Sequence, residues 1–361
     1  MSTIMKASHQ WATRPDDERY VSLIAMRDHF NEQKRNSRQV VVPSKTITLV
    51  PQEDHKGITV RGDKGHEYSP NHWSFGQLAQ LSESPAGYLR TLPAPIATDA
   101  INYKLKFVRA IEDVGLLLYK NGTAELRSAN GPNYGRIWNA DICDGLVRKF
   151  GDGVTGDWRV PGEFGKAIEV TKANTTLYAS DRDMFVFLAD EVNRIEVPNR
   201  RNGQSGSLAR GFYLWNSETG SKSLGIGTFL FDYVCCNRII WGAEVYEEIR
   251  IRHTASAPLK WLEEVQPVLQ AYHEGSSKPI QAAIVAAQQK KIDDVDEFLS
   301  KRFGKRMVSL IEKTHEVEEG RPIETIWDAS TAITAYARGL THQDARVDLE
   351  RAAGDVMQLA A

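Results

Sequence analysis

The chain has 361 residues, 41% of them hydrophobic and 25% charged. That exceeds the usual size of one domain and supplies apolar side chains for a sizeable core. The formal net charge of −2 excludes a global electrostatic commitment to nucleic acid or to an anionic membrane, although a basic face can sit inside a near-neutral total.

In chain order, residues 1–70 read as a polar N-terminal arm. It carries a helical piece around Tyr20 to Phe30 and short strands near Gln39 to Val42, Thr46 to Val50 and Gly57 to Val60, punctuated by Pro43, Pro51 and Gly62. A helix is predicted to start in the stretch from Asn71 to Leu81, with Ser74 as N-cap and Gln77 in the capping-box position. Phe75, Leu78, Ala79 and Leu81 form its apolar stripe. From about residue 113 the rhythm becomes that of strands, Val114 to Tyr119 and Thr123 to Ser128, separated by the Asn121-Gly122 dipeptide that favours a two-residue hairpin turn.

A helix over Asn139 to Phe150 follows from Ile142, Leu146 and Phe150 at four-residue spacing. Further strands are predicted at Trp158 to Val160, Glu163 to Thr171, Met184 to Asp190, Arg194 to Pro198, Gly211 to Asn216 and Val245 to His253, with a flexible loop from Asn199 to Ser207. After Pro258 the pattern is helical to the end. Ile292, Val295 and Leu299, then Ile326, Ala329, Ile333 and Tyr336, recur at helical spacing, with breaks at Gly304, Gly320 and Gly339. The expected class is α+β: a largely antiparallel sheet with flanking helices, then a helical C-terminal subdomain. The expected divisions are an arm over 1–70, a core over 71–257 and a helical part over 258–361.

Cys143, Cys235 and Cys236 are too few and too badly spaced for a disulfide framework, which fits a reduced compartment. No apolar run reaches the roughly 20 residues that span a bilayer, and Met1 to Trp11 lacks the apolar centre of a signal peptide. A cytoplasmic protein without membrane contact is expected. The nine histidines form no His-x-x-x-His, and no Cys-x-x-Cys occurs, so no metal and no cofactor are expected. Gly225-x-Gly227 lacks the spacing and the Gly-Lys-Ser/Thr of a phosphate loop, and Asp293 to Glu297 fits a solvated helix face.

Two features carry possible chemistry. In the turn from Asn216 to Gly220, Asn and Ser bond nearby backbone and Gly permits positive φ. Glu218 could also act there as a base or metal ligand with His253 as the acid. The second feature is basic: between Arg194 and Lys260 nine Lys or Arg (Arg194, Arg200, Arg201, Arg210, Lys222, Arg238, Arg250, Arg252, Lys260) face six acids, a surplus of 9 − 6 = 3. Arg250 and Arg252 alternate with Ile249 and Ile251, so both guanidiniums share one face of a strand while the isoleucines turn to the core. Beside Tyr213 and Trp215 they have the makings of a single-strand groove, in which cations track phosphate and rings stack bases. The candidate nucleic-acid-binding set is Arg200, Arg201, Arg210, Tyr213, Trp215, Asn216, Lys222, Arg250, Arg252 and His253, with no catalytic residue assigned. The competing reading is a solvated sheet face paired to Glu244, Glu247 and Glu248.

The run Gly211-Phe-Tyr-Leu-Trp-Asn-Ser-Glu-Thr-Gly220 is followed by Ser223 to Phe231, Val234-Cys-Cys-Asn237 and Arg250-Ile-Arg-His-Thr254. This order resembles the phage/plasmid-like protein family, domain of unknown function 932. Leu126-Arg-Ser with Tyr134, Ile137 and Asn139 resembles that family's arginine-tyrosine-helix-cap element, and Thr325 to Tyr336 its C-terminal tryptophan helix, except that Ser330-Thr331 stands where Asn before Ala is usual. The resemblance implies a product of a phage, prophage or conjugative plasmid in the bacterial host cytoplasm, and it brings no catalytic residues. A helix from Ile137 to Phe150-Gly151 followed by Trp158 is similar to the helix-to-strand passage of ring-forming single-strand annealing proteins. The expected function is therefore a non-catalytic single-stranded DNA-binding or annealing-like protein that supports recombination or DNA establishment, as a homo-oligomer. The alternative is an interaction factor for a host or phage protein, and the third is a hydrolase or nuclease using Glu218, His253 and Asp232.

Overall fold

A computed structural model describes residues 15–53, 57–61, 66–108, 113–160, 169–173, 175–200, 204–232, 237–239, 249–340 and 343–360. The chain opens with β1 (Arg19–Tyr20) and α1 (Leu23–Arg35), then lays down β2 (Ser37–Pro43), β3 (Thr48–Pro51), β4 (Ile58–Arg61) and β5 (Glu67–Pro70). α2 (His72–Leu81), α3 (Ala86–Leu89) and α4 (Ala94–Tyr103) lead to the hairpin β6 (Asp113–Asn121) and β7 (Thr123–Asn130), and then to α5 (Asn139–Phe150). The strands β8 (Trp158–Arg159), β9 (Leu177–Ala179), β10 (Met184–Asp190), β11 (Ile195–Arg200), β12 (Gln204–Asn216), β13 (Leu224–Asp232), β14 (Asn237–Ile239) and β15 (Ile249–Ile251) follow. Helices complete the chain: α6 (Ala257–Lys260), α7 (Gln266–Glu274), α8 (Lys278–Gln289), α9 (Val295–Ser300), α10 (Lys305–Glu319), α11 (Ile326–Arg338) and α12 (Gln343–Gln358).

The fold is α+β with antiparallel sheets flanked by helices and a helical C-terminal region. Among the described residues a six-stranded sheet runs β2-β6-β7-β5-β4-β3, antiparallel except for the β5–β7 pair. A nine-stranded sheet runs β1-β9-β10-β12-β13-β14, with β8 on β10, β11 on β12 and β15 on β13. Strands of residues 37–70 therefore pair with the hairpin of residues 113–130 instead of forming an arm. Alternation explains this: Val40, Val42, Leu49 and Val60 have one apolar face each, and only a sheet packed on helices can bury it. Their core, with Phe75, Leu78, Ile101 and Leu116, lies between this sheet and α2 and α4.

The nine-stranded sheet buries Val186, Leu188, Phe212 and Leu214 beneath α1 and α5. Trp261, Val265, Leu269 and Tyr272 join the same core, so residues 258–275 belong with the sheet and not with the helices that follow. The later helices cover Ile195, Val197, Leu208 and Leu230 with a core of their own around Ile311, Trp327 and Ile333. α11 begins on a capping box, in which the Thr325 hydroxyl accepts from the Asp328 amide and the Asp328 carboxylate accepts from Thr325 N–H. Arg321 bridges to that carboxylate at 2.6 Å. Burial works against the Asp328 charge, yet these donors hold its carboxyl below the usual range.

Several local expectations shift. α1 begins at Leu23 because the Ser22 hydroxyl caps it, accepting from Ala25 N–H at 3.1 Å, while Tyr20 pairs with Leu177 in β1–β9. At α2 the N-cap is Asn71, whose Oδ1 accepts from Ser74 N–H at 2.8 Å. Ser74 is buried and donates instead to the Leu126 carbonyl at 2.6 Å. Residues 163–168 of the strand predicted over Glu163 to Thr171 and the upstream end of the one from Val245, like Cys235, Cys236, Glu244, Glu247 and Glu248, lie outside the described residues, and Glu169 to Thr171 form no strand. Asn199 to Ser207, predicted as a loop, instead holds the end of β11 and the start of β12.

Candidate functional site

The turn from Asn216 to Gly220 lies where the two sheets meet. Glu218 has 2% of its side chain exposed and pairs at 2.8 Å with Arg127 of β7, itself 4% exposed. Its other oxygen accepts from the Asn139 amide at 2.6 Å, at the N-terminus of α5. The α5 N-cap, Trp138, has no side chain that can cap, so the carboxylate fills that position and meets the positive end of the helix dipole. Arg136 donates to the Glu218 carbonyl oxygen. Burial pulls the Arg136 guanidinium down to about 10, against the charge of Glu218.

The rest of the turn is held as tightly. Asn216 donates to the Ile137 carbonyl at 2.9 Å and to Asn139 Oδ1 at 2.7 Å. The Tyr134 hydroxyl donates to the Ser217 carbonyl at 2.7 Å. Ser217 Oγ donates to the Arg182 carbonyl and accepts from Gly220 and Ser221 amides at 3.0 and 2.9 Å. The Thr219 carbonyl accepts from Trp73, Gln77 and Asn130. Gly220 has φ +95, and a Cβ there would meet Asn130 Nδ2 at 2.5 Å. The two segments Arg127 to Asn139 and Asn216 to Gly220 are thus the two halves of one buried polar network.

Both Glu218 oxygens are engaged within the protein, and among the described residues no cluster of His, Cys, Asp or Glu could hold a metal ion. The described strands place Asp232 in β13 opposite Leu208. Burial pushes the Cys143 thiol up, away from reactivity.

His253 is half-buried and stacks on the Tyr134 ring at 4.8 Å between centroids. Its Nδ1 lies 3.0 Å from the Gly135 carbonyl oxygen. A carbonyl only accepts, so Nδ1 carries the proton and the buried Nε2 is the bare nitrogen, with no hydrogen-bond partner. Burial draws the imidazole down to about 4; the bond to Gly135 opposes this and Arg136 adds to it. The sign follows from proton counts. Below its ordinary value near 6.5 the unfolded imidazole takes a proton, while the folded one stays neutral until about 4. Stability is therefore full above the unfolded value and is lost as pH falls through this window, by about 3 kcal/mol. Urea unfolding of His253→Asn, whose amide can keep the bond to Gly135, is expected to lose this part of the pH slope; equal slopes in parent and variant would remove His253 as its source.

Of the eight predicted nucleic-acid residues whose side chains are described, five lie inside the protein. Tyr213, Trp215 and Asn216 are 3%, 0% and 0% exposed. Register explains the aromatic pair: Phe185, Trp215, Gly225 and Arg250 are successive partners across β10, β12, β13 and β15, so they share one face. The Trp215 and Tyr213 rings lie over Gly225 and Gly227, where a Cβ would come within 1.9 and 2.3 Å of them. Phe187, Tyr213 and Trp215 stack in a row at 5.6 Å intervals. These rings are core, and no base can reach them in this arrangement.

Arg210 is 5% exposed and pairs with Asp190 at 3.1 Å. Lys222 is buried beside Asp183 at 3.3 Å and over the Phe185 ring. Arg250 and Arg252 are exposed and Ile251 is buried, as alternation predicts. Arg201 and the side chain of Arg200 lie outside the described residues.

An open cleft lies elsewhere, in the six-stranded sheet. It has a volume of about 420 Å³, within the range of about 300–1,000 Å³ for ligand pockets. Arg38 of β2, Arg61 of β4 and His66 stand on its rim, Tyr68 of β5 on its wall, and Val40, Val42, Ile47, Val60, Leu116 and Leu118 form its floor. Among the described residues no Asp or Glu lines it; Glu67, which accepts from the Thr59 hydroxyl, approaches Arg61 to 3.8 Å. Sequence reasoning missed these residues by treating β2 to β5 as an arm. The signal was there in Arg38-x-Val40-x-Val42, which puts an arginine in line with two valines on one strand face.

No family model, curated protein or solved structure matches the chain. No helix among the described residues is long and apolar enough to cross a membrane.

Proposed function

We propose that this chain is a phage- or plasmid-encoded, non-catalytic protein that binds single-stranded DNA in the cleft of its six-stranded sheet, in support of recombination or DNA establishment. One observation carries the reading: a cleft with two guanidiniums and an imidazole on its rim, a tyrosine on its wall, an apolar floor and no acid among its described lining residues. Guanidinium groups pair with phosphates, and a base set against Tyr68 and the valines leaves water without needing a particular sequence. A duplex keeps its bases stacked inside and gains nothing from such a floor. The burial of both Glu218 oxygens favours binding over hydrolysis.

Fluorescence anisotropy of a labelled oligonucleotide tests this, at low and high salt, beside a duplex control. The parent is expected to bind the single strand selectively and with strong salt dependence. The double variant Arg38→Ala/Arg61→Ala is expected to bind more weakly, its slope of log K against log salt flattened by about 0.7 for each phosphate that an arginine no longer neutralises. Loss of binding in Arg250→Ala/Arg252→Ala alone would move the surface to β15. Flat traces at micromolar protein would sink the nucleic-acid reading and leave a protein partner in its place.

A further inference from the structure

α4 shows apolar side chains on both sides. Its inner face, Ala97 and Ile101 with Leu105 beyond, is at most 1% exposed and packs in the core beneath the six-stranded sheet. On the outer side Ile96, Tyr103 and Phe107 are 54%, 60% and 75% exposed, with Ala100 half-buried between them. The helix passes into a π-helical turn over Lys104–Val108, which keeps the Tyr103 and Phe107 rings together at 5.6 Å between centroids. Positions 96, 100, 103 and 107 thus line one stripe, the spacing by which helices pack on each other.

We infer that this stripe is the two-fold contact of a homodimer, with α4 of one copy antiparallel to α4 of the other. The stripe is complementary to itself in that orientation. A dyad passing between Ile101 and Asn102 sets Ile96 of one copy at the level of Phe107 of the other, and small Ala100 at the level of large Tyr103. Charge follows the same register. Asp99 and Lys106, both exposed, are two turns apart on one flank of the stripe. In the antiparallel pair the dyad is perpendicular to both helices and brings like flanks together, so Asp99 of each copy lies within a lysine's reach of Lys106 of the other. A parallel pair, whose dyad runs along the helices, would place the two Asp99–Lys106 flanks on opposite sides of the contact and bring no such pair together. The result is an isologous contact with an aromatic centre and charged edges, the usual anatomy of such interfaces.

The test is the mass of the full chain in solution. Sedimentation of the parent at tens of micromolar is expected to give twice the 40.5 kDa of one chain. Phe107→Glu, at a position three-quarters exposed, is expected to keep its thermal unfolding midpoint and to raise the dimer dissociation constant about thirtyfold or more, as for an aromatic hot spot. Asp99→Lys is expected to weaken the dimer, and adding Lys106→Asp to restore it. A monomeric parent, or a Phe107→Glu protein that stays dimeric, would overturn the proposal. Failure of the charge exchange to restore association would overturn the antiparallel register. Dimer mass and DNA anisotropy are separate readouts, so this inference can fail while the cleft stands.

Discussion

Glu218→Ala is expected to lower the stability of the whole chain by about 3–5 kcal/mol, the usual cost of leaving a buried charge without its partner. Arg127, 4% exposed, would face the protein interior alone. The Asn139 amide would lose its acceptor at the start of α5, and the helix dipole would lose the charge that meets it. Glu218→Gln separates these terms. It keeps an acceptor of the same shape for Asn139 and loses only the charge that balances Arg127, so its cost is expected to fall between those of the parent and Glu218→Ala. Chemical unfolding followed by tryptophan fluorescence measures both variants, with Trp73 and Trp138 beside the network as reporters. A Glu218→Ala protein as stable as the parent would mean that the turn is not what joins the sheets. Such a protein would also return Glu218 to consideration as a group kept for chemistry, because a carboxylate that costs nothing to remove has no structural reason to be buried.

How much of this was legible follows from the range over which each signal acts. The β6–β7 hairpin and α5 were readable because their determinants are local: Ile142, Leu146 and Phe150 supply the helical stripe, and Gly122 takes φ +71 in the turn, although Asn121, expected in the turn, ends β6 opposite Thr123 and both strands run longer than expected. The α+β class and the helical C-terminal region follow from the same periodicities. Alternation also placed Arg250 and Trp215 on one sheet face correctly, and the register confirms it.

What alternation cannot say is whether that face is covered. A face with Phe185, Phe187, Tyr213 and Trp215 reads equally well as a stacking platform or a second core, and burial decides for the core. Gly225 and Gly227 were a missed clue. Glycines opposite two large aromatic residues are what tight ring packing on a sheet requires, and nothing in a phosphate loop would place them there. Glu218 lay furthest out of reach, since its partner Arg127 is 91 residues away and no local pattern links them.

Arg210→Ala is expected to destabilise the fold by about 3–5 kcal/mol, a loss that in any DNA-binding assay would show as unfolding and not as a weakened contact. Arg210 is the ion that ties β12 to the chain between the sheet and the C-terminal helices. It pairs with Asp190 of β10, whose side chain is 0% exposed, and donates to the Tyr272, Gly275 and His273 carbonyls at the end of α7. Its guanidinium also lies against the Trp158 and Tyr272 rings, at 5.5 Å from each centroid. Removing it strands Asp190 in the interior and leaves the α7 carbonyls without donors. Replacing both ions, as in Arg210→Met/Asp190→Leu, takes out the stranded charge, so the double variant is expected to recover much of the loss. Urea unfolding of the two single variants and the double variant measures the coupling. An additive cycle would mean that the carbonyls, and not Asp190, are what Arg210 serves. Either way the guanidinium acts inward, and a basic residue counted from sequence becomes a candidate for phosphate only once its own partners are known.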